Sequence, residues 1–285
     1  MSTKRLYIGV DIGGTSIVAA RISDKELIEK NEVPTGSTRP FEEIMESLFS
    51  AIKPLLTDEV VGIGIGMPGF MDTESGEILA INNIPALQGH SIKKSVEERF
   101  NLPAFQNNDA NCFALGEAYF GAGKAFNNMV GVTMGTGLGS GIIINRKIYS
   151  GIAGGAGEIG CVPMQSGIGD DYCSNALFVN SYSKNGIDLF NEAKAGNQES
   201  VKAFDHLARN LGELLRLSMY ILAPEAFVIG GAIAKSWEYL EKPLQEEIDK
   251  FPFELVRNKV KLLPAQLDNA GLYGAAALCI SQMDQ

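Results

Sequence analysis

Ile8-Gly-Val-Asp-Ile-Gly-Gly-Thr-Ser-Ile-Val-Ala-Ala-Arg-Ile22 reads as an apolar strand, a carboxylate, a glycine–threonine turn and a second apolar strand. The plan returns at Val130-Gly-Val-Thr-Met-Gly-Thr-Gly-Leu-Gly-Ser-Gly-Ile-Ile-Ile144. Two copies, separated by close to half the chain, predict two related α/β halves facing each other across a cleft.

The turns suggest what such a cleft would hold. Gly13, Gly14 and Thr15 let backbone N–H groups approach an anion with no Cβ in the way, and Thr15 adds a hydroxyl. Asp11, just before them, suits Mg²⁺ held through water, because one carboxylate plus substrate phosphates is a common Mg²⁺ set. Gly135, Thr136, Gly137 and Gly139 offer the same groups from the other half, so that β- and γ-phosphates fit between the two turns. Gly230-Gly231-Ala232, between a strand and a helix, is a further close-approach point for an adenosine; a purely structural turn explains it equally. No GxxxxGK[ST] loop is present, and Gly135–Gly141 leads into a strand rather than the helix that a dinucleotide fingerprint requires.

Outward from the turns, period and punctuation predict the remaining elements. Leu6–Val10, Ile17–Ile22, Glu26–Val33, Val60–Gly66, Ala104–Gln106, Met129–Met134, Gly141–Ile148 and Ala226–Ile229 read as strands. Helices are expected over 41–52, over 93–100 with Ser91 as cap, from Asp109 through Tyr119, over 201–221 up to Pro224, and over 270–280. No Pro- or Ser-rich linker separates the halves, so closely packed domains are expected.

The acceptor side centres on Asn107-Asn-Asp-Ala-Asn111, between a strand and a helix. Asp109 there reads either as the helix N-cap or as a general base taking the proton of an attacking hydroxyl. Asn108 beside it would bond sugar hydroxyls. Asn82 and Asn83 are further sugar candidates, with a surface Asx turn as the alternative, and so is Glu158 on its glycine-flanked loop. His90 and His206 complete no nucleophile or metal constellation, and no GxSxG elbow is present.

With 285 residues, 45% of them hydrophobic and 20% charged, the chain is long enough for two packed domains. The net charge of −10 argues against nucleic acid, which is bound through Lys and Arg. The segment from Met1 through Arg5 runs straight into a strand that meets Asp11 too soon for a leader peptide, and no apolar run reaches membrane-spanning length. Four scattered cysteines without a CxxC pair suit a reducing, cytoplasmic setting.

Taken in order, these motifs resemble those of the ROK family of bacterial sugar kinases and repressors, within the actin-like ATPase (ribonuclease H-like) superfamily. The resemblance rests on Asp11–Thr15, Gly64-Ile-Gly-Met-Pro-Gly69, Asn108–Glu117, Gly135–Gly141, Ala156–Gly160, Pro224–Gly231 and Gly271–Ala275, and so covers essentially the whole chain. It implies a two-domain α/β fold with a cleft, residues 1–108 plus about 268–285 forming one domain and 109–267 the other. Asp109 matches the family's catalytic base, and Asn83, Asn108, Glu158 and Gly69 match its sugar contacts. Asp11, Gly13, Gly14, Thr15, Thr136, Gly137 and Gly231 match its Mg-ATP contacts. A cytoplasmic homodimer acting on a hexose, glucose first, follows from the resemblance. N-acetylglucosamine, N-acetylmannosamine and β-glucosides are alternative acceptors, and a non-catalytic sugar sensor is an alternative of another class.

Two departures bear on this. Where many members place His and then a Cys-x-Cys-Gly-x-x-Gly-Cys-x-Glu segment holding zinc, this chain has Cys161 and then Ser166-Gly-Ile-Gly-Asp-Asp-Tyr-Cys-Ser-Asn175. Two thiols without histidine do not complete a four-ligand site, so no zinc is expected. The sugar-binding His and Glu positions become Cys161 and Asn175. The repressors' helix-turn-helix has no room in the ten residues before Asp11.

Overall fold

The structure, a computed structural model, describes residues 5–283. The chain runs β1 (Leu6–Ile12), β2 (Ser16–Ile22), β3 (Leu27–Pro34), α1 (Phe41–Ile52), β4 (Val60–Met67), the short strands β5 (Phe70–Met71) and β6 (Ile78–Ala80), α2 (Ile92–Phe100), β7 (Ala104–Asn108) and α3 (Asp109–Phe120). It continues with β8 (Met129–Met134), β9 (Leu138–Ile144), β10 (Lys147–Ile148), β11 (Pro163–Met164), β12 (Gly167–Ile168), α4 (Gly169–Cys173), α5 (Asn175–Tyr182), α6 (Gly186–Lys194) and α7 (Gln198–Leu222). It ends with β13 (Ala226–Gly230), α8 (Trp237–Ile248), α9 (Glu254–Arg257), β14 (Lys261–Pro264) and α10 (Ala270–Met283).

Two sheets share one strand plan. The first has the order β3-β2-β1-β4-β7, with β1–β2 and β2–β3 antiparallel and β1–β4 and β4–β7 parallel. The second has the order β10-β9-β8-β13-β14, with β8–β13 and β13–β14 parallel. In each, three consecutive strands meander and two parallel strands extend the row, which is the duplication that the repeated glycine motif announced.

By packing, the chain divides into two units. One holds the residues up to Lys124, Gly141–Ala156 and those from Leu267 onward; the other holds Ala125–Ser140 and Gly157–Gln266. Helix α3 therefore groups with the N-terminal sheet, whereas the sequence expectation drew the break at 108/109. The reason is close backbone packing. A Cβ on Gly64 of β4 would collide with the Ala275 carbonyl of α10, and one on Gly274 of α10 would collide with the Cys112 carbonyl of α3. Bare glycine surfaces let α10 lie directly on the sheet and on α3.

In the first unit, Ile8, Ile12, Ile63 and Ile65 bury themselves with Ile44 and Leu48 of α1. In the second, the apolar face of α7 contributes Phe204, Leu207 and Leu211 to a core with Phe178 and Phe227. Glu247 of α8 is 2% exposed. It is held by Arg216, by Lys250 at 2.5 Å and by Arg209 at 3.4 Å, which ties α8 to α7.

Two readings are corrected. The strand expected over 141–148 is a tight hairpin, because Asn145 and Arg146 take φ of 51° and 63° and turn the chain. The helix-capping role weighed for Asp109 belongs to Asn108, whose side chain accepts the Ala110 and Asn111 N–H groups. Residues 169–194, for which no element is predicted from the sequence, form α4, α5 and α6, and the helix expected after Gly230-Gly231-Ala232 is α8, reached through a short turn at 233–236.

Candidate active site

In the first unit the three adjacent parallel strands β1, β4 and β7 end together. Their register sets Asp11 beside Gly66, and Gly66 and Met67 beside Asn107 and Asn108. Parallel strands present ligands at their carboxyl ends. Asp11, the Gly66–Gly69 loop, Asn108 and Asp109 therefore gather at one edge.

The chain after each strand end is shaped by hydrogen bonds. The turn after β1 closes with the Gly13 N–H donating to Ser16 O at 2.9 Å, and Thr35 secures it by a hydroxyl bond to Gly13 O at 2.6 Å. A Cβ on Gly14 would stand 3.7 Å from the Asn83 Cβ, so Asn83 lies alongside this turn. After β4, Gly69 has φ of +99°, a conformation for glycine, and its carbonyl accepts from Asn108 Nδ2 at 3.4 Å. The structure thus brings Asp11, Gly13, Gly14, Thr15, Gly69, Asn83, Asn108 and Asp109 to one end of the first unit.

Asp109 is the first residue of α3. The cap made by Asn108, 2.8 Å from the Ala110 N–H, starts the helix so that the carboxylate stands at its N-terminus. Asn108 is itself steered by Asn107, whose Oδ1 accepts the Asn108 N–H at 2.8 Å and Asn111 Nδ2 at 2.9 Å. Asp109 opens to solvent on one side. Protein atoms crowd it on the others, and this desolvation raises its pKa, while its bond from the Ala110 N–H lowers it. Asp11 is pushed up to about 6, first by burial and then by the charge of Asp109. The Asp109 charge thus disfavours that of Asp11, and the two carboxylates make a place for a cation.

A cavity of about 510 Å³ in this unit is lined by Asn107 and Ser150 and not by Asp11 or Asp109. The chemistry follows the strand ends and not cavity size.

In the second unit, parallel β8 and β13 also end side by side, with Thr133 paired to Gly230. The turn after β8 closes with the Gly135 N–H on Gly137 O at 2.9 Å, leaving the Thr136 and Gly137 amides without an acceptor among the described residues. Gly231, with φ of +88°, presses on Met134 so closely that a Cβ would strike its carbonyl. Beside these turns lies a pocket of about 350 Å³ walled by Thr136, Asn175, Ile187, Phe190, Ile233 and Lys235. A small, partly apolar recess beside unpaired amides suits an aromatic base with phosphates attached. The sequence named Thr136, Gly137 and Gly231, which the structure sets at or beside this pocket, but not the walls from α6 and from 233–236. Those residues carry no motif and are assembled only by the fold.

Glu158 also belongs to the second unit. It follows Gly157, whose carbonyl accepts from Ser140 Oγ at 2.5 Å, and it stands 4.0 Å from Cys161 Sγ. Cys173 is buried in the core, where burial drives its thiol far above the usual range. Asn175 lines the pocket beside Thr136.

Known proteins match this chain along its length. Residues 7–282 match the ROK family. A glucokinase of Halalkalibacterium halodurans is 31% identical, over 98% of this chain and 96% of that protein. Among solved structures, a ROK family glucokinase from Streptomyces griseus in complex with glucose and AMPPNP is 30% identical, with a TM-score of 0.80 over 96% of this chain and 98% of that one. A ROK hexokinase from Thermus thermophilus is 27% identical, with a TM-score of 0.84 over 98% and 99%.

Proposed function

Because this chain belongs to the ROK family, with its two-sheet α/β actin-like ATPase fold, we propose that it is an ATP-dependent sugar kinase. It transfers the γ-phosphoryl group of ATP to a hydroxyl of a hexose, glucose first, with N-acetylglucosamine, N-acetylmannosamine or a β-glucoside as alternative acceptors.

The observation that carries the mechanism is the Asp109 carboxylate, held at the start of α3 by the Asn108 cap at the shared end of β1, β4 and β7. Its raised pKa makes it a better proton acceptor than an ordinary Asp. As the sugar oxygen attacks the γ-phosphorus, its proton passes to Asp109, the bond to the β-phosphate oxygen breaks, and ADP leaves. Asn83, Gly69 and Glu158 are assigned to the sugar. Asn108 spends its Oδ1 on the α3 cap and offers the sugar only Nδ2.

The Gly13–Thr15 turn and the free Thr136 and Gly137 amides serve the phosphates. The 350 Å³ pocket next to Gly231 serves the adenosine. Asp11 fits Mg²⁺ held through water: its pKa of about 6, raised by burial and by Asp109, marks a site short of positive charge. When bound, Mg²⁺ supplies neutralisation of phosphoryl charge.

We assign the protein to the cytoplasm, where ATP is made and where its free thiols stay reduced. No helix among the described residues is long and apolar enough to cross a membrane. We also assign it a homodimeric state, supported by exposed Tyr220 and Ile221 of α7 and by exposed Phe253 and Leu255, which are joined to them through the Phe251 ring, 4.7 Å from Tyr220 and 5.6 Å from Phe253, apolar surface that a monomer rarely leaves bare.

Asp109→Asn tests the central assignment in an ADP-release assay across hexoses and acetylated hexosamines. Turnover should fall by about 10² to 10⁴ while sugar still binds. Near-normal turnover would remove Asp109 from the mechanism.

A further inference from the structure

We propose that Asp170 is the positioning residue of the Gly135–Gly137 phosphate turn, holding it in a nucleotide-ready shape from outside. The inference rests on reading that turn as a nucleotide site, and it adds a residue that touches neither nucleotide nor sugar.

The Leu138 N–H, first after the turn, donates to Asp170 Oδ1 at 2.5 Å. The same oxygen would stand 3.0 Å from a Cβ on Gly137, so the carboxylate lies flat against the turn's outer side. At the other end, the Gly135 carbonyl accepts the N–H of Asn175 at 2.9 Å. One short segment, α4 and the start of α5, thus grips both ends of the turn.

That segment is itself fixed. Ser174 Oγ donates to Asp170 O at 2.7 Å and accepts the Ala176 N–H at 3.1 Å. Asn210 of α7 donates to Tyr172 O at 3.2 Å, and Cys173 is fully buried. Asn175 Oδ1 takes the Gly186 N–H at 2.8 Å and so fixes the α6 wall of the nucleotide pocket to the same point. A turn rich in glycine has wide conformational freedom and loses it on binding. A clamp that removes this freedom beforehand leaves the Thr136 and Gly137 amides aimed at the phosphates. The Leu138 amide is taken by Asp170, so it does not compete for them.

A carboxylate beside a phosphate site is unfavourable by charge, which separates its two effects experimentally. Asp170→Ala removes both clamp and charge. Asp170→Asn keeps an oxygen for the Leu138 N–H and removes only the charge. ADP binding by calorimetry and steady-state KM for ATP and for sugar, on the full chain, provide the test. Loss of a hydrogen bond to a charged group predicts about 10- to 100-fold weaker ADP binding in Asp170→Ala. KM for ATP should rise in parallel and KM for sugar should stay unchanged. Asp170→Asn should bind ADP at least as tightly as the parent.

Wild-type ADP affinity in Asp170→Ala, or failure of Asp170→Asn to restore it, overturns the proposal while leaving the kinase reading intact. A parent protein that binds no ADP at all removes both. Should Asp170→Ala fail to fold, hydrogen exchange at the Leu138 amide decides. It should be slow in the parent and in Asp170→Asn, and fast exchange in the folded parent would refute the clamp.

Discussion

Asp11 should make the metal-free protein less stable, and replacing it should help. Its carboxyl rises from an ordinary 3.8 to about 6, chiefly by burial. Folding thus raises its proton affinity, and the ionised form costs stability. Two units correspond to about 3 kcal/mol at about 1.4 kcal/mol per unit. The sign follows from linkage. Above pH 6 the full cost is present; as pH falls from about 6 to 3.8 the folded state takes up its proton first and the cost fades. Asp11→Asn carries no such charge. In EDTA at pH 8 it should stabilise the first unit by about 3 kcal/mol, and at pH 5 by roughly half of that. The single tryptophan, Trp237, lies in the second unit and is the wrong reporter. Native-state hydrogen exchange of the β1 and β4 amides is the right one. Mg²⁺ with nucleotide should reverse the order, because only the parent keeps the carboxylate. A variant no more stable than the parent at pH 8, or one whose advantage is equal at both pH values, would refute the argument.

Gly64→Ala drives a methyl into the Ala275 carbonyl, which cannot swing aside, and should cost about 3 kcal/mol or more; unchanged thermal unfolding would show that α10 yields. Glu247→Gln leaves Arg216 facing a neutral amide in a buried place and should cost about 3 kcal/mol, the low end for a broken buried pair because Arg209 and Lys250 reach water. Trp237 fluorescence during urea unfolding reads that change, and a coincident curve would deny Glu247 its role. Ile221→Asp with Leu255→Asp should halve the mass seen by light scattering if these residues pair two copies, and an unaltered dimer would move the interface elsewhere.

What the sequence revealed and what it hid have physical reasons. The strands β1, β2, β8 and the turns that join them are written in short range: β-branched runs interrupted by glycine next to threonine. Asp109 was visible because Asn108-Asp109 stands where a strand gives way to a helix. Which of the two capped the helix was not visible, since Asn and Asp cap equally well; only the geometry gives that task to Asn108. The hairpin at Asn145-Arg146 was hidden because Arg has no preference for positive φ, and the fold imposes it. Helices α4 to α6 were masked by Gly167, Gly169 and Gly186 and by short polar caps. Their stability comes from burying Cys173, Leu177, Phe178 and Leu189, which is a property of the core and not of the segment. The walls of the 350 Å³ pocket from α6 and 233–236 lie far apart in the chain, and no local pattern joins them.

The docking of α10 onto β4 and α3 has a consequence for synthesis. The first unit joins β1 to β4 with α10, a helix that is synthesised only after every segment of the second unit. At about 5–20 residues per second, translation of the intervening stretch takes on the order of ten seconds or more. During that interval Gly9, Gly64 and the flank of α3 have no helix to cover them, and the strand ends bearing Asp11 and Asp109 lack their support. The second unit's segments are complete by Gln266, before α10 is made. On the ribosome the second unit is then complete first, and the first unit last. Arrested chains ending near residue 266 should protect α7 from protease while leaving β1 to β4 open to it.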